Sequence, residues 1–462
     1  MSRGSEGRIG KMSLAVLDIS FIHLGYLTVY WLSNESAVPF HYVQAAPWVS
    51  AIAFIIFYLF GFYMDWQRKS FQQMACTILL SLGIVAVLIT IANIVYPMAT
   101  FSTQLILTAS LIHAVSILLS RLIIWQVIRM VHGRKRLLII AEDEKNGLSL
   151  ADKLLSHHKG WFIVSKLVTL KEKDKLTDCL KEIDVVLISD SINGKQRSEL
   201  INLCAKQEKE VLVVPQLFEI FIHGSVHQQV DDMLVLSIPP TKLSGARRAV
   251  KRAFDFVVAA ILLVAVSPVT ICLWVLIPLT SKGPALFKQE RLGRNGKPYQ
   301  IYKFRSMVQN AEKDTGPVLA TERDPRITAI GRLIRATRLD ELPQLYNVLK
   351  GEMSLVGPRP ERKFFYDQFQ QYLPEYSNRM TVKPGLTGLA QVMANYTTAP
   401  EDKLRFDLMY IRHYSFGNDI KILFQTIWVI FQKNKAEGVV ETNSQKKKRL
   451  LQLLSQNQAA GQ

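Results

Sequence analysis

Four apolar stretches dominate the first part of the chain, at residues 12–32, 47–64, 74–96 and 103–125. Each is close to the length of about 20 residues that a helix needs to cross the hydrocarbon of a bilayer. Lysine and arginine occur before the first stretch, between the second and third, and after the fourth, but are absent from 33–46 and 97–102. This alternation follows the positive-inside rule. The pattern predicts a four-helix transmembrane bundle over residues 1–130, with both ends in the cytoplasm.

Three ionisable residues fall inside these stretches, Asp18 and His23 in the first and His113 in the fourth. Ionisable groups are costly within a membrane and often mark a function. The sequence shows no complementary cluster near them. We therefore expect these side chains to pack inside the helix bundle.

Residues 131–245 have a different pattern, in which short β-rich runs alternate with amphipathic stretches. The runs lie at 136–141, 184–189 and 210–215, and the amphipathic stretches at 148–157 and 198–207. Such alternation predicts a small Rossmann-like parallel α/β domain. A dinucleotide-binding version needs a glycine-rich turn after its first strand, but here that turn carries Glu142, Asp143 and Glu144. We interpret the domain as a structural, regulatory or oligomerising module.

A fifth apolar segment, at 254–280, is long enough to span a membrane but contains Ser267 and Pro268 near its middle. Proline removes a backbone donor and breaks or kinks a helix, and serine can bond a freed carbonyl. Both flanks are basic, which predicts a re-entrant helix-break-helix that enters one leaflet and returns. The alternative is a kinked fifth span, which would place everything after Lys282 outside the cell.

The net charge of +18 indicates anionic partners, which include nucleic acid, anionic lipid and phosphorylated substrates. The cationic residues follow the membrane pattern, and no nucleic-acid recognition motif is present, so we expect no nucleic-acid partner. The four cysteines are scattered, which predicts neither a zinc site nor a disulfide framework.

The candidate chemistry lies between residues 303 and 388, where two adjacent acids, Asp340 and Glu341, stand among many cations. Arginines pair with phosphate oxygens, while carboxylates among them can hold a divalent cation or act as a nucleophile. Taken alone, two adjacent acids are more typical of a solvated helix. Pro343 and the surrounding apolar residues favour a helix start that faces a pocket. The cationic candidates for phosphate contacts are Lys303, Arg326, Arg332, Arg335 and Arg359.

Four motifs follow one another along the chain, Lys303-Phe304-Arg305-Ser306-Met307, Asp340-Glu341-Leu342-Pro343-Gln344-Leu345, Gly357-Pro358-Arg359-Pro360 and Lys383-Pro384-Gly385-Leu386-Thr387-Gly388. In this order they resemble the motifs of the bacterial sugar transferases, the monotopic polyprenyl-phosphate phosphoglycosyl transferases. The resemblance covers about residues 247–431, and the preceding regions match the large members of the family. It implies a mostly helical catalytic domain at 246–432. The lysines and arginines of the residues that follow predict a basic tail at 433–462.

The resemblance implies that Asp340 is the nucleophile and that Glu341 assists it, with Mg²⁺ held by Asp340 and Glu341. The donor would be a UDP-sugar, the acceptor undecaprenyl phosphate and the leaving group UMP. The reaction would begin an exopolysaccharide or capsule-type glycan on the cytoplasmic face of the bacterial inner membrane. Lys251 and Arg252 would anchor in anionic lipid heads.

The sequence leaves two further questions open. The alternative function is a catalytically inactive membrane scaffold or regulator of polysaccharide assembly, and a homodimer is an oligomeric state that the sequence permits. One position also departs from the family, because Ala394 and Asn395 replace the Gly-Arg pair of many relatives.

Overall fold

The computed structural model describes residues 2–33, 40–63, 71–95, 101–132, 134–155, 162–171, 176–239, 243–309, 311, 316, 324–395 and 398–430. These residues form two compact units, the first ending at Val214 and the second beginning at Pro215. The predicted domain limits at 130, 245 and 432 stay predictions. The predicted basic tail at 433–462 lies outside the described residues.

The first unit begins with four long helices, as predicted. They are α1 (Ser2–Leu32), α2 (Phe40–Leu59), α3 (Phe71–Val95) and α4 (Thr103–His132). Their spans Met12–Leu32, Phe40–Leu59, Met74–Val95 and Thr103–Val127 are long and apolar enough to cross a membrane. The start expected for the second helix was wrong, because α2 runs through Pro47 from Phe40. Its first turns are held by Tyr42, which is buried and hydrogen-bonded to His23 at 2.7 Å.

Polar residues in this bundle contact one another across helices. Arg121 on α4 and Asp18 on α1 form a buried ion pair of 2.5 Å. The ring Nε2 of His113 lies 2.8 Å from the carbonyl oxygen of Ile22. The expectation that these side chains pack inside the bundle is confirmed for Asp18 and His113, which are buried. The partner of Asp18 lies in another predicted span, so no pattern near Asp18 in the sequence could indicate it.

The rest of the first unit is the predicted parallel α/β fold. Its elements are β1 (Lys135–Ala141), α5 (Glu144–Leu155), β2 (Phe162–Thr169), α6 (Leu176–Lys181), β3 (Val185–Ile188), α7 (Gly194–Lys206) and β4 (Glu210–Val213). The strands are parallel in the order β2-β1-β3-β4. Strand β2 was not predicted, because it is only partly buried and its pattern is interrupted by polar residues. In the acidic turn, Asp143 accepts a 2.7 Å hydrogen bond from the Asn146 amide and so caps α5.

The second unit is mostly helical. Its elements are α8 (Leu217–Ile222), β5 (Val226–Val230), β6 (Met233–Ser237), α9 (Gly245–Ala265), α10 (Ser267–Thr280), β7 (Leu286–Leu292), β8 (Pro298–Phe304), α11 (Ala329–Ala336), α12 (Gln344–Lys350), β9 (Ser354–Val356), α13 (Lys363–Tyr372), β10 (Gly385–Thr387), α14 (Leu389–Met393), α15 (Pro400–Arg412) and α16 (Phe416–Ile430). Strands β5-β6 and β7-β8 are antiparallel pairs, whereas β9 and β10 are parallel.

The predicted break in the fifth apolar segment is present between α9 and α10, which are bent by 61°. The Ser267 hydroxyl donates a 2.7 Å hydrogen bond to the Val264 carbonyl, as the sequence predicted for a serine at the break. Pro268 lies in the first turn of α10, where its missing N–H costs no helical hydrogen bond. The Val264 carbonyl, which would face the missing N–H of Pro268 in a continuous helix, is therefore satisfied within the chain.

One apolar core connects the broken helix to the segment that carries the paired acids. Ala259 of α9 packs in it with Leu345 and Val348 of α12 and with Leu355 of β9. Ile411 of α15 closes the same cluster. The position of α12 is thus fixed on several sides, and with it the turn that precedes α12.

Candidate active site

Asp340 and Glu341 lie in a single 3₁₀ turn, Leu339–Glu341, between α11 and α12. Arg338 enters the turn with a left-handed backbone, φ 56°, which is uncommon for a residue with a side chain. Pro343 follows and α12 begins at Gln344, so the predicted helix start is present. The turn places the two carboxylates in different surroundings.

Glu341 is buried and bound by cations. Its Oε1 accepts hydrogen bonds from Lys303 Nζ at 2.9 Å and from a terminal guanidinium nitrogen of Arg359 at 2.7 Å. Arg338 lies 3.9 Å from the other oxygen, Oε2. Burial alone raises the pKa of Glu341, but Arg359, Lys303 and Arg338 together lower that pKa well below its ordinary value. Glu341 is therefore ionised and fixed in place.

Asp340 is partly buried, and within the described residues no donor lies at hydrogen-bond distance from its carboxylate. Burial and the neighbouring charge of Glu341 raise the pKa of Asp340 to about 6, although Lys303, Arg335 and Arg359 oppose the shift. When Asp340 is ionised, its carboxylate accepts no hydrogen bond from the described residues. The nearby cations Lys303, Arg335 and Arg359 nevertheless stabilise its negative charge. Such a carboxylate is available for a reaction in a way that Glu341 is not.

The structure gathers three of the five predicted phosphate-binding cations around the acids. Lys303, at the end of β8, and Arg359 contact Glu341 directly. Arg335 is close enough to influence the pKa of Asp340. Arg338, which the sequence analysis did not select, completes the group.

The other two predicted cations are placed differently. Arg326 forms a two-point ion pair with Asp324, with distances of 2.8 and 2.5 Å. Arg332 is exposed on α11. Spacing along the chain could not separate these arginines from Arg335, which lies on the same helix as Arg332.

Arg359 projects from a loop whose backbone is held by donors from several elements. The carbonyl oxygen of Pro358 accepts from the Gly385 amide at 2.9 Å, and that of Pro360 accepts from Arg291 at 3.1 Å. The loop also approaches β10 closely. A Cβ on Gly385 would lie 2.1 Å from the Gly357 nitrogen, so only glycine fits there. The Gly-Pro-Arg-Pro motif and the Lys-Pro-Gly motif therefore meet to orient Arg359.

Arg379 also holds this loop, although no pattern in the sequence predicts this role. It is buried and donates a 3.0 Å hydrogen bond to the carbonyl oxygen of Arg359. It is anchored by Asp407, with N–O distances of 3.1 and 2.8 Å, and by Glu361 at 3.3 Å. No motif around Arg379 marks this role, because its partners come from α15 and from the loop itself.

Lys251 and Arg252, predicted to anchor in lipid heads, make contacts inside the second unit. Lys251 pairs with Asp419 at 2.6 Å. Arg252 donates to the carbonyl oxygens of Val348 and Leu349, at 2.6 and 2.7 Å, and so caps the end of α12. Their contact with lipid stays a prediction.

The predicted metal ligands are two adjacent carboxylates of unequal availability. Within the described residues, no group of three or more His, Cys, Asp or Glu side chains is arranged to hold a metal. Mg²⁺ is commonly held by one or two carboxylates together with substrate phosphates and water. The unbonded carboxylate of Asp340 fits that mode better than Glu341, whose Oε1 already accepts from two cations.

Comparisons with known proteins agree on one family. The model of a family described as bacterial sugar transferase matches residues 246–433. A UDP-glucose:undecaprenyl-phosphate glucose-1-phosphate transferase of Klebsiella pneumoniae is 29% identical over 455 residues, which cover 91% of this chain and 95% of that protein.

Two relatives of the same name match over shorter regions. The Caulobacter vibrioides protein is 43% identical over 183 residues, 38% of this chain and 68% of that protein. The Escherichia coli protein is 39% identical over 258 residues, and the match spans only 55% of each chain. Other relatives are named for transfer of N-acetylgalactosamine phosphate or galactose phosphate.

Proposed function

The chain belongs to the bacterial sugar transferase family, and on this basis we propose that it transfers a sugar 1-phosphate from a UDP-sugar to undecaprenyl phosphate. The observation that carries the proposal is the unequal state of the paired acids. Glu341 is held by Lys303 and Arg359, whereas Asp340 has a carboxylate without a donor among the described residues. A bound Glu341 and an available Asp340 match the roles of a positioning group and a nucleophile.

In the first step, a carboxylate oxygen of Asp340 attacks the phosphorus that carries the sugar. The bond from that phosphorus to the bridging oxygen breaks, and UMP leaves with the electron pair. The product is an aspartyl phosphosugar, an acyl phosphate. Lys303, Arg335 and Arg359 lie around the acids and stabilise the negative charge on the transferring phosphoryl group.

In the second step, an oxygen of undecaprenyl phosphate attacks the same phosphorus, and the Asp340 carboxylate leaves. Splitting the transfer allows a soluble donor and a lipid acceptor to use one site in turn. We propose Mg²⁺ as the cofactor, held by Asp340 with help from Glu341 and the diphosphate oxygens. When bound, it would neutralise the diphosphate and the leaving group.

We place the reaction on the cytoplasmic face of the bacterial inner membrane, where it would begin an exopolysaccharide or capsule-type glycan. The four apolar spans support a membrane location. The 61° bend between α9 and α10 supports the re-entrant path, in which both ends of the broken helix stay on the cytoplasmic side. A nucleotide sugar and a lipid phosphate could then reach the same turn.

The test is UMP release by the purified full chain, with undecaprenyl phosphate, Mg²⁺ and a panel of UDP-sugars that includes UDP-glucose, UDP-galactose and UDP-N-acetylgalactosamine. We expect one sugar to be preferred, and activity to be lost when Mg²⁺ is chelated. An absence of UMP release across the panel would favour an inactive membrane scaffold.

The nucleophile is tested separately, by mass spectrometry of the chain after incubation with the preferred UDP-sugar alone. Asp340→Asn should form no phosphosugar adduct. Asp367→Asn is the matched control, because Asp367 is an exposed α13 residue paired with Lys363 at 2.9 Å. Adduct formation by Asp340→Asn would assign the nucleophile to another residue.

A further inference from the structure

The second unit contains a cavity of about 410 Å³ that neither Asp340 nor Glu341 lines. Its walls come from the start of α9, the turn after β7, strand β9, the segment before β10 and the end of α15. Its lining is strongly cationic. The cationic residues are Arg248, Lys251, Arg252, Arg294 and Lys383, against the single carboxylate of Asp255.

Part of this charge is neutralised or hydrogen-bonded within the chain. Lys251 pairs with Asp419 at 2.6 Å, and Arg252 caps α12 through two backbone carbonyls. Asp255 is buried and accepts from the Leu355 amide at 3.2 Å. The remaining cations, Arg248, Arg294 and Lys383, are therefore not balanced by the carboxylates near them.

Arg294 and Lys383 are partly buried, whereas Arg248 is exposed. Partly buried cations without partners are candidates for binding a ligand. The Nε of Arg294 is buried and has no hydrogen-bond acceptor in the described part of the chain. Burial lowers the pKa of Lys383, and the charges of Arg252, Arg294 and Lys251 lower it further against the opposing effect of Asp255. Buried polar groups normally have partners, and like charges at close range repel. An anion in the cavity would offset the positive charge of both side chains.

We propose that this cavity is a second anion site, which binds a phosphate group between Arg294 and Lys383. Guanidinium and ammonium donors are the side chains that bind phosphate oxygens in proteins. The apolar walls formed by Val356, Val382 and Ile411 leave room for the organic group that carries the phosphate. The proposal concerns residues outside the Asp340 turn and does not depend on the transfer reaction.

The position of the cavity favours a lipid headgroup as the source of the phosphate. Arg248, Lys251 and Asp255 line it from the polar start of α9. The apolar side chains of Phe256, Val257 and Ile261, which follow Asp255 along α9, are exposed. A helix with this division places its polar end at the level of the lipid phosphates. Free phosphate is the alternative source of the same chemistry.

The experiment uses the full chain in detergent micelles and two probes. Native mass spectrometry measures binding of dioctanoyl phosphatidylglycerol, with dioctanoyl glycerol as the probe that lacks the phosphate. Titration calorimetry measures binding of inorganic phosphate. Lys383→Gln and Arg294→Gln should each weaken phosphate-dependent binding about tenfold or more, since each removes a charge-assisted contact.

Lys297→Gln is the matched control, because Lys297 is exposed in the same unit and does not line the cavity. Lys383→Gln removes a cation that its neighbours repel, so its thermal midpoint should not fall, and this midpoint is measured alongside. If Lys383→Gln weakens binding of the lipid, the cavity is a headgroup site. If it weakens binding of inorganic phosphate alone, the cavity is a free-phosphate site. Equal binding by the parent chain and Lys383→Gln in both arms, or no binding by the parent chain, would overturn the proposal.

Discussion

Arg359 donates a 2.7 Å hydrogen bond to Glu341, from a loop whose own backbone is held by Arg379 and Gly385. The same carboxylate oxygen of Glu341 accepts from Lys303. Glu341 thereby keeps two phosphate-binding cations beside Asp340 before any substrate arrives. Preorganised charge of this kind stabilises a transition state without rearrangement during the reaction.

Glu341→Gln should slow sugar-phosphate transfer roughly 10- to 100-fold, because charge-assisted hydrogen bonds contribute about 1.5–3 kcal/mol each. Unlike Asp340→Asn, it should still form the phosphosugar adduct. Steady-state UMP release and adduct mass spectrometry measure the two effects. Glu290→Gln, on an exposed position of β7, is the control for loss of one negative charge. A Glu341→Gln chain without adduct, together with adduct formation by Asp340→Asn, would mean that Glu341 itself carries the sugar phosphate.

Arg379→Lys keeps the charge but cannot contact Asp407, Glu361 and the Arg359 carbonyl together. We expect the free energy of unfolding to fall by about 2 kcal/mol, and KM for the UDP-sugar to rise about tenfold with a smaller change in kcat. Arg405→Lys is the matched control, because Arg405 also binds a carboxylate and a carbonyl, those of Asp402 and Pro215. An Arg379→Lys chain that loses stability with unchanged KM would limit Arg379 to a structural role.

The path of the broken helix is testable with cysteines placed at its two ends, Gly245→Cys and Ser281→Cys, in a background without native cysteines. A Cβ at Gly245 meets no atom within 4 Å, so this substitution should be tolerated. If α9 and α10 form a re-entrant hairpin, an impermeant thiol reagent should label both positions from the cytoplasmic side only. Labelling of the two positions from opposite sides would instead identify a fifth span.

A histidine pair joins the segment after α8 to the end of α15, and its contact should weaken in acid. His223 Nδ1 lies 2.8 Å from His413 Nε2, so one ring donates and the other accepts. Burial, with the nearby His223 and Arg412, lowers the pKa of His413 below 6.5. Once detached, His413 binds a proton more readily than in the packed state. The stability of the contact is therefore lost as the pH falls through about 6.5 and below.

Hydrogen exchange of residues 217–237 measures this effect, and we expect faster exchange at low pH. His413→Gln should remove most of the pH dependence. His227→Gln is the control, because His227 is exposed on β5. A pH response that persists in His413→Gln would assign the titration to another group.

The buried pair of Asp18 and Arg121 predicts non-additive mutations in the membrane bundle. Asp18→Asn or Arg121→Met alone leaves one buried charge without its partner and should lower stability by about 3–5 kcal/mol. The double variant should recover much of that loss. Thermal unfolding in detergent of the two single variants and the double variant tests the coupling, and simple additivity would show that the pair contributes little.

The sequence alone determined features that depend on local chemistry. The length and apolarity of the four stretches were enough to predict the four membrane helices. Ser267 and Pro268 were enough to predict the helix break. Both features depend only on residues that are neighbours along the chain. The alternation of β-rich and amphipathic stretches was enough to predict the parallel α/β fold, but it did not predict the edge strand β2. The ordered motifs were enough to identify the family, and the match of the family model to residues 246–433 supports that identification.

Tertiary structure alone decided which charges meet. Asp18 and Arg121 are 103 residues apart, and Lys303 reaches Glu341 across 38 residues, so no spacing rule could pair them. Arg326 pairs locally with Asp324, whereas Arg359 is brought to Glu341 by the loop it stands on. The physical reason is that side-chain electrostatics act over a few ångströms, and only the packed chain determines which residues lie within that distance.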